Sequence, residues 1–177
     1  MLDLSVLGRE PTSKEVFKRA PTHLWHPEGC GDIDIRIDGI GQWFHEGGII
    51  RRQGLVRLLA SILSREDNDY WLTTPVEKMR IQVEDLPFVI TELREENERL
   101  VAITNVGEVL DDIEGWTLEV DADGELRPAV KVFDELQARL SRNIYYDLAH
   151  RALAEGVERG GVLYWQFAGR DYPLGKA

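Results

Sequence analysis

Two stretches of the chain carry apolar residues at helical spacing, and strand-like segments surround both of them. The first has apolar residues at positions 55, 56, 59, 62 and 63, and the second has Leu136, Leu140, Ile144, Leu148 and Ala152. Spacings of three and four residues place side chains on one face of a helix. We therefore predict helices over 55–63 and 136–152, with Gly156 ending the second. Neither helix can bury its apolar face without a sheet to cover it.

The segments around these helices indicate β-strands. Between residues 32 and 38, isoleucines alternate with charged residues, which places the isoleucines on one face of a strand. Further strand-like segments lie at 42–45, 70–73, 79–83, 88–93, 100–105, 116–120, 129–133 and 162–167. The order strand, strand, helix, strand thus occurs twice. It predicts an α+β fold made of two related halves by duplication, each an antiparallel sheet packed on one helix.

The predicted organisation has three parts. Residues 1–29 form an N-terminal arm with one short helix, which begins at Thr12-Ser13-Lys14-Glu15 and ends before Pro21. Residues 30–85 form the first half and residues 86–177 the second, with a tail from Gly169 to Gly175.

Charge and composition exclude several classes of function. The 177 residues include 21 basic and 32 acidic side chains, a net charge of −11, which opposes binding to DNA or RNA. The single cysteine, Cys30, excludes an internal disulfide and fits a reducing compartment. No apolar run approaches the ~20 residues of a membrane helix. We expect a cytoplasmic protein that does not bind membranes.

Two groups of residues resemble parts of metal-binding sequence motifs. His23, His26, Cys30 and Asp32 lie close together in the sequence, but the second ligand pair of a zinc site is absent. The segment 121–125 spells part of a calcium loop without its closing glutamate, which favours a hairpin turn. We expect neither a metal nor another cofactor.

Most of the polar and charged residues that could form a binding site lie between Trp43 and Val89. Arg51 and Arg52 precede the first helix, where cations oppose the helix dipole, so they either pair with Glu77 or Asp85 or contact an anionic ligand. Thr73 and Thr74 with Glu77 indicate a turn braced by side chains. The Thr74 hydroxyl and the Glu77 carboxylate could equally hold a phosphate or a sugar.

The leading hypothesis is a non-catalytic module that binds a small anionic molecule. In it, Arg52 and Arg142 face the ligand's charge, and Thr74 and Asn105 donate hydrogen bonds. Trp43 supplies a stacking surface. Candidates in the second half are Arg142, Tyr145, Tyr146 and Trp165.

Two alternatives come from other classes of function. One is an enzyme that uses Glu77 and Asp85 as an acid–base pair, or His45 as a base; the chain has no nucleophile elbow, P-loop or dinucleotide motif. The other is a protein-interaction domain that acts through a sheet edge or the long helix.

Several motifs together support a family resemblance. They are Trp43-Phe44 with Ile50, Arg52, Leu55, Val56 and Leu58; Leu72-x-Thr74-Pro75-Val76-Glu77-Lys78; Ile81-x-Val83-Glu84-Asp85-x-Pro87-Phe88; Thr104-Asn105-Val106; and Arg142-x-x-Tyr145-Tyr146-x-Leu148. From about Cys30 to Gly175 the chain resembles an uncharacterised bacterial family called domain of unknown function 1285. The resemblance implies a duplicated core, a second half like a pleckstrin-homology domain, a site for a nucleotide-like ligand where the halves meet, and a role in signal transduction.

Overall fold

A computed structural model of the protein describes residues 2–11, 15–133 and 135–177. The chain forms two compact units, and the described residues contain two α-helices and fifteen strands. Unit 1 comprises Met1–Glu84 and Val106–Glu108, and unit 2 comprises Asp85–Asn105 and Val109–Ala177. Asp85 therefore belongs with the second unit, whereas the sequence prediction divides the chain after it.

Unit 1 is built on a six-stranded sheet. Its elements are β1 Gly29–Ile37, β2 Trp43–His45, β3 Gly48–Ile49, α1 Gln53–Ser61, β4 Leu63–Glu66, β5 Asp69–Thr73 and β6 Glu77–Val83. The strand order is β3-β2-β1-β6-β5-β4. β1 and β6 pair in parallel, and the other neighbours pair antiparallel.

Unit 2 contains a second six-stranded sheet and a smaller one. Its elements are β7 Phe88–Glu96, β8 Arg99–Thr104, β9 Val109–Asp111, β10 Trp116–Val120, β11 Leu126–Lys131, β12 Gln137–Leu140, α2 Arg142–Glu155, β13 Glu158–Arg159, β14 Val162–Phe167 and β15 Arg170–Lys176. The order of the large sheet is β10-β11-β12-β7-β8-β9, with β12 and β7 parallel.

The two large sheets have the same topology, which confirms the duplication. In each, the first three strands run outward as an antiparallel meander, and the next three return on the other side. The last strand then pairs in parallel with the first. Both sheets are therefore mixed, and the predicted antiparallel sheets are corrected in one respect, since each contains one parallel pair. The parallel pair joins strands far apart in sequence, so the local hairpin signals contain no trace of it.

The two helices occupy different places in the repeat. α1 connects the third and fourth strands of the first sheet, whereas α2 follows the sixth strand of the second. The repeat is thus six strands, and the predicted repeat of strand, strand, helix, strand is wrong. α1 also ends at Ser61, because Ile62 leaves helical geometry and Leu63 begins β4. Ile62 and Leu63 are both fully buried, so they continue the apolar stripe outside the helix.

The second helix begins six residues later than its periodicity predicts. Leu136 precedes β12 and Leu140 lies in it, and β12 pairs with both β7 and β11. A spacing of four residues fits one face of a strand as well as one face of a helix, since strand side chains alternate with period two. Gly156 ends α2 in the left-handed conformation with φ 67°, as predicted.

The C-terminal residues form a three-stranded sheet. Its order is β13-β14-β15, and β15 occupies the segment predicted as a tail. α2 lies against β14 and also contacts β15 and β7. Trp165 is fully buried and lies 5.7 Å from the ring of Phe167 and 5.2 Å from that of Tyr172. It is therefore core and not a pocket residue.

The N-terminal arm belongs to unit 1. Short 3-10 turns occur at Ser5–Leu7 and Thr22–Leu24. Of the predicted short helix, Thr12, Ser13 and Lys14 lie outside the described residues, and Glu15 to Ala20 are not helical. None of the helices in the described ranges is long and apolar enough to cross a membrane.

Candidate functional site

The arm is held against α1 by hydrogen bonds from both sides. The N–H of Ala20 donates to the carbonyl of Ser61 at 2.9 Å, and Arg19 Nη2 donates to the carbonyl of Leu63 at 3.2 Å. From the helix, Arg57 Nη2 donates to the carbonyl of Glu15. These contacts place the arm beside the last two turns of α1.

The first turn of α1 also contacts the arm. A Cβ added to Gly54 would lie 2.6 Å from the carbonyl oxygen of Pro11 and 2.9 Å from Glu10 Cγ, so only glycine allows this approach. Arg52 pairs with the Glu10 carboxylate. A carboxylate at this end of the helix is favourable because the helix dipole is positive there.

Between the arm and α1 lies a cleft of about 640 Å³, which we call the arm cleft. Volumes of this size hold small molecules in other proteins. Its lining residues are Leu7, Arg9, Pro11, Glu15, Val16, Phe17, Lys18, Arg19, Ala20, Arg57, Leu58 and Ser61. Four of these side chains are cationic and one is acidic, a balance of +3 in a chain whose net charge is −11.

Arg57 is the buried cation of the arm cleft. It lies in α1 with 6% of its surface exposed, between Val56 and Leu58, which are also buried. Its Nη2 donates to Glu15, and the backbone of Gly107 lies nearby in the same unit. Because a buried charge interacts more strongly than an exposed one, Arg57 adds to the positive potential of the cleft although little of its surface is exposed. Arg51 and Arg52 are the arginines that the sequence pattern favours, whereas the only sign of Arg57 is that an arginine interrupts the apolar run 55–60.

Arg52 forms an ion pair within the unit, whereas Arg51 does not form one with another described residue. Arg52 forms an ion pair, but with Glu10 of the arm and not with the predicted Glu77 or Asp85. Its side chain is 74% exposed, so the pair is worth at most about 1 kcal/mol. Arg51 is exposed and makes no hydrogen bond or ion pair with another described residue.

Thr74 and Glu77 brace the turn between β5 and β6. Thr74 is fully buried, and its hydroxyl accepts the N–H of Glu77 at 3.2 Å and donates to the carbonyl of Glu77 at 3.1 Å. Thr73 bonds to Ser64 at 3.0 Å. The Glu77 carboxylate accepts the N–H of Asp3 at 2.6 Å. Both threonine hydroxyls are thus used inside the unit.

Asp85 is the partner of a buried arginine. Arg139 Nε donates to Asp85 Oδ2 at 2.8 Å, and Nη2 donates to Oδ1 at 2.9 Å. The guanidinium also donates to four backbone carbonyls, those of Glu119, Val120, Arg127 and Pro128. Arg139 lies beside the apolar residues Ala138 and Leu140 of β12, and no sequence motif marks it as the partner of Asp85. Asp85 therefore braces unit 2 through both of its oxygens.

Trp43 and Asn105 also lie within the structure of their own units. Trp43 is 1% exposed and faces the core of unit 1, so neither face of its ring is open for the predicted stacking. Asn105 accepts the N–H of Val89 at 3.1 Å through its side-chain oxygen and donates its own N–H to the Val89 carbonyl at 2.8 Å. It fastens the end of β8 to β7.

Arg142 and Tyr146 are exposed on α2. Arg142 is the first residue of the helix and contacts no other described side chain by hydrogen bond or ion pair. Tyr146 is 61% exposed, and its ring packs edge-on against Tyr145 at 5.7 Å. The predicted binding residues are thus distributed over several places, and the ligand site implied for the meeting point of the halves stays a prediction.

The family of the chain is shown by comparison with family models. The N-terminal and C-terminal domain models of DUF1285, a family of unknown function, match residues 20–86 and 87–174. The chain belongs to the DUF1285 family. No curated protein shows a significant match to it.

Two solved structures of DUF1285 family proteins are similar to this chain. One, from Silicibacter pomeroyi DSS-3, is 36% identical with a TM-score of 0.76, over 98% of this chain and 95% of that one. The other, from Shewanella baltica OS155, is 29% identical with a TM-score of 0.55, over 66% of this chain and 90% of that one.

The DUF1285 match divides the lining of the arm cleft. The N-terminal model begins at residue 20, so Ala20, Arg57, Leu58 and Ser61 lie inside it, and the arm residues from Leu7 to Arg19 lie before it. The residues of this DUF1285 protein that the structure describes contain no cluster of three or more His, Cys, Asp or Glu side chains arranged to hold a metal ion. Its Cys30 is exposed and forms no disulfide.

Proposed function

We propose that this DUF1285 protein is a non-catalytic module that binds a small anionic molecule in the arm cleft. The observation that carries the proposal is the concentration of four cations against one carboxylate around 640 Å³, in a chain that is acidic as a whole. The overall charge repels anions at long range, so this local potential must hold the ligand. The apolar lining strengthens it by lowering the local dielectric.

The proposal is tested by calorimetry with phosphate, sulfate, simple carboxylates and nucleoside monophosphates. Lys18→Gln should weaken anion binding, because Lys18 is exposed and lines the cleft. The matched control is Lys176→Gln, which removes an exposed lysine of unit 2 and changes the net charge equally. Equal affinity in both variants, or no binding of any anion, contradicts the proposal.

A second variant tests whether the arm forms a wall of the site. Gly54→Ala would ordinarily strengthen a helix by about 0.5–1 kcal/mol. Here the added methyl group would meet the carbonyl of Pro11, so the arm must move. We expect faster proteolysis of the arm and weaker anion binding. An arm that stays protected, with unchanged binding, would argue that the cleft does not form in this way.

The finer parts of the proposal come from the family resemblance. They are a role in signal transduction and a pleckstrin-homology-like second unit. The resemblance also implies a nucleotide-like ligand, for which the nucleoside monophosphates are the probes. The cytoplasmic location comes from the composition instead. The free cysteine supports a reducing compartment. Unit 2 combines antiparallel strand pairs with a helix against a small sheet, which is the feature that favours the pleckstrin comparison.

Two contacts favour binding over catalysis. Glu77 accepts a hydrogen bond from the N–H of Asp3, and both oxygens of Asp85 accept hydrogen bonds from Arg139. Both carboxylates of the acid–base pair considered for catalysis therefore already form hydrogen bonds within the protein. A general base needs an oxygen within reach of the substrate proton.

Protein interaction through α2 is the second candidate. Only Leu148 and Ala152 of this helix are buried, while Tyr146 and Leu153 are 61% and 65% exposed. Exposed apolar side chains on one helix are a common feature of binding faces. Sedimentation of the wild type and of Tyr146→Ser/Leu153→Ser tests self-association through this face.

A further inference from the structure

The arm cleft is apolar as well as cationic. Six of its twelve lining residues have apolar side chains: Leu7, Pro11, Val16, Phe17, Ala20 and Leu58. Val16 is 78% exposed within this lining. A site that held only an inorganic ion would gain nothing from these walls, since a free phosphate or sulfate has no apolar surface to bury.

Apolar and cationic residues are adjacent in the sequence of the arm. Val16 and Phe17 are followed directly by Lys18 and Arg19, and Arg57 and Leu58 face them from α1. A ligand in the cleft therefore meets cationic groups and hydrocarbon together.

We infer that the ligand is a small amphiphilic anion, with one anionic group and an aliphatic body. This inference rests on the proposed function and names the class of ligand for the same site. The anionic group lies at Lys18 and Arg19, with the buried charge of Arg57 behind them, and the aliphatic body lies along Val16 and Leu7.

A flat aromatic ligand fits the lining less well. The aromatic residue in the cleft is Phe17, which is 5% exposed and offers almost no open ring face. Proteins that bind nucleobases without reading their edges stack them on exposed aromatic rings. Aliphatic walls instead favour a flexible hydrocarbon chain, which gains affinity with each buried methylene.

The experiment is a chain-length series measured by calorimetry with the full chain. The probes are acetate, butanoate, hexanoate and octanoate, with butyl and octyl phosphate as a second head group and adenosine monophosphate as the aromatic comparison. Affinity should rise by up to about fourfold for each added methylene that is buried. Octyl phosphate should bind more tightly than adenosine monophosphate.

Two variants separate the contributions of charge and hydrocarbon. Lys18→Gln should lower affinity by a similar factor for every member of the series. Val16→Ser should leave the shortest member unchanged and reduce the gain with chain length. Because Val16 is 78% exposed, this change should not unfold unit 1, and Val120→Ser, at a residue 62% exposed in unit 2, is its matched control.

The outcomes distinguish the anion site from the amphiphilic ligand. Binding that does not depend on chain length, or tighter binding of adenosine monophosphate, overturns the amphiphile and leaves the anion site standing. No binding of any probe overturns the proposed function together with the inference. A chain-length gain that Val16→Ser removes and Val120→Ser does not is the result that supports it.

Discussion

Replacing Arg139 with methionine should destabilise unit 2 by about 3–5 kcal/mol, because removing one partner leaves the other charge buried and unpaired. The side chains of Arg139 and Asp85 are 9% and 11% exposed, and two hydrogen bonds of 2.8 and 2.9 Å join them. Methionine fills much of the volume of the arginine stem, so cavity formation adds little. The loss of the carbonyl contacts at the ends of β10 and β11 adds to the cost.

The free energy that Arg139→Met should remove is a large part of the total stability of a domain, which is commonly about 5–15 kcal/mol. Arg139→Lys keeps the charge but cannot reach two carboxylate oxygens and the carbonyls with one ammonium group, so it should recover only part of the loss. Asp85→Leu combined with Arg139→Met removes both charges and should be more stable than Arg139→Met alone.

The assay is urea unfolding followed by tryptophan fluorescence, with amide hydrogen exchange of β11 and β12 to locate the effect. The control is Arg99→Met, which removes an exposed partner of Asp111 and should change stability by less than about 0.5 kcal/mol. A cost below about 1 kcal/mol for Arg139→Met, or a double variant less stable than the single one, would refute the reasoning.

Three further predictions concern single positions. Thr74→Val removes a buried hydroxyl that bonds to Glu77 and should cost about 1–3 kcal/mol in chemical unfolding, with Thr91→Val, an exposed threonine, as control. Gly156→Ala places a side chain at φ 67° and should cost about 1 kcal/mol by thermal unfolding, whereas no change would contradict the left-handed cap. Burial raises the pKa of Glu108, so the folded state binds more protons than the unfolded state, and stability should fall as pH rises from the ordinary glutamate pKa through the raised one. Glu108→Gln should therefore remove this part of the pH dependence, as measured by unfolding at several pH values, and an unchanged dependence would contradict the assignment.

Local pattern was sufficient for the elements whose partners are close in sequence. Alternation between residues 32 and 38 correctly predicted β1, with Ile35 and Ile37 buried and Asp32 and Asp34 exposed. The turn at Asp121 was also correct: its carboxylate accepts the N–H groups of Asp123 and Glu125, both at 2.9 Å. In both cases residues within a few positions of one another determine the conformation.

Local sequence pattern did not predict β12 correctly, because the conformation of this segment depends on pairing with a distant strand. The repeat of leucines every four residues is compatible with helix and strand, and the choice was made by β7, which lies some fifty residues earlier and pairs with Ala138, Arg139 and Leu140. Tertiary contacts also decided the role of the residues that were predicted to bind a ligand. Trp43, Thr74 and Asp85 have the chemistry of a site, but burial and internal hydrogen bonds use that chemistry to hold the units together.

The sequence by itself determined that the chain is α+β, that it contains a duplicated pattern, and where most strands and turns lie, because alternation, glycine geometry and side-chain-braced turns act over a few residues. Only the tertiary structure decided that each repeat is six strands closed by a parallel pair. It also decided that Arg139 is buried against Asp85, and that the arm brings Lys18 and Arg19 to Arg57. These results depend on contacts between residues about forty to more than fifty positions apart, and the free energy of such contacts comes from burial and charge pairing that no short window of sequence contains.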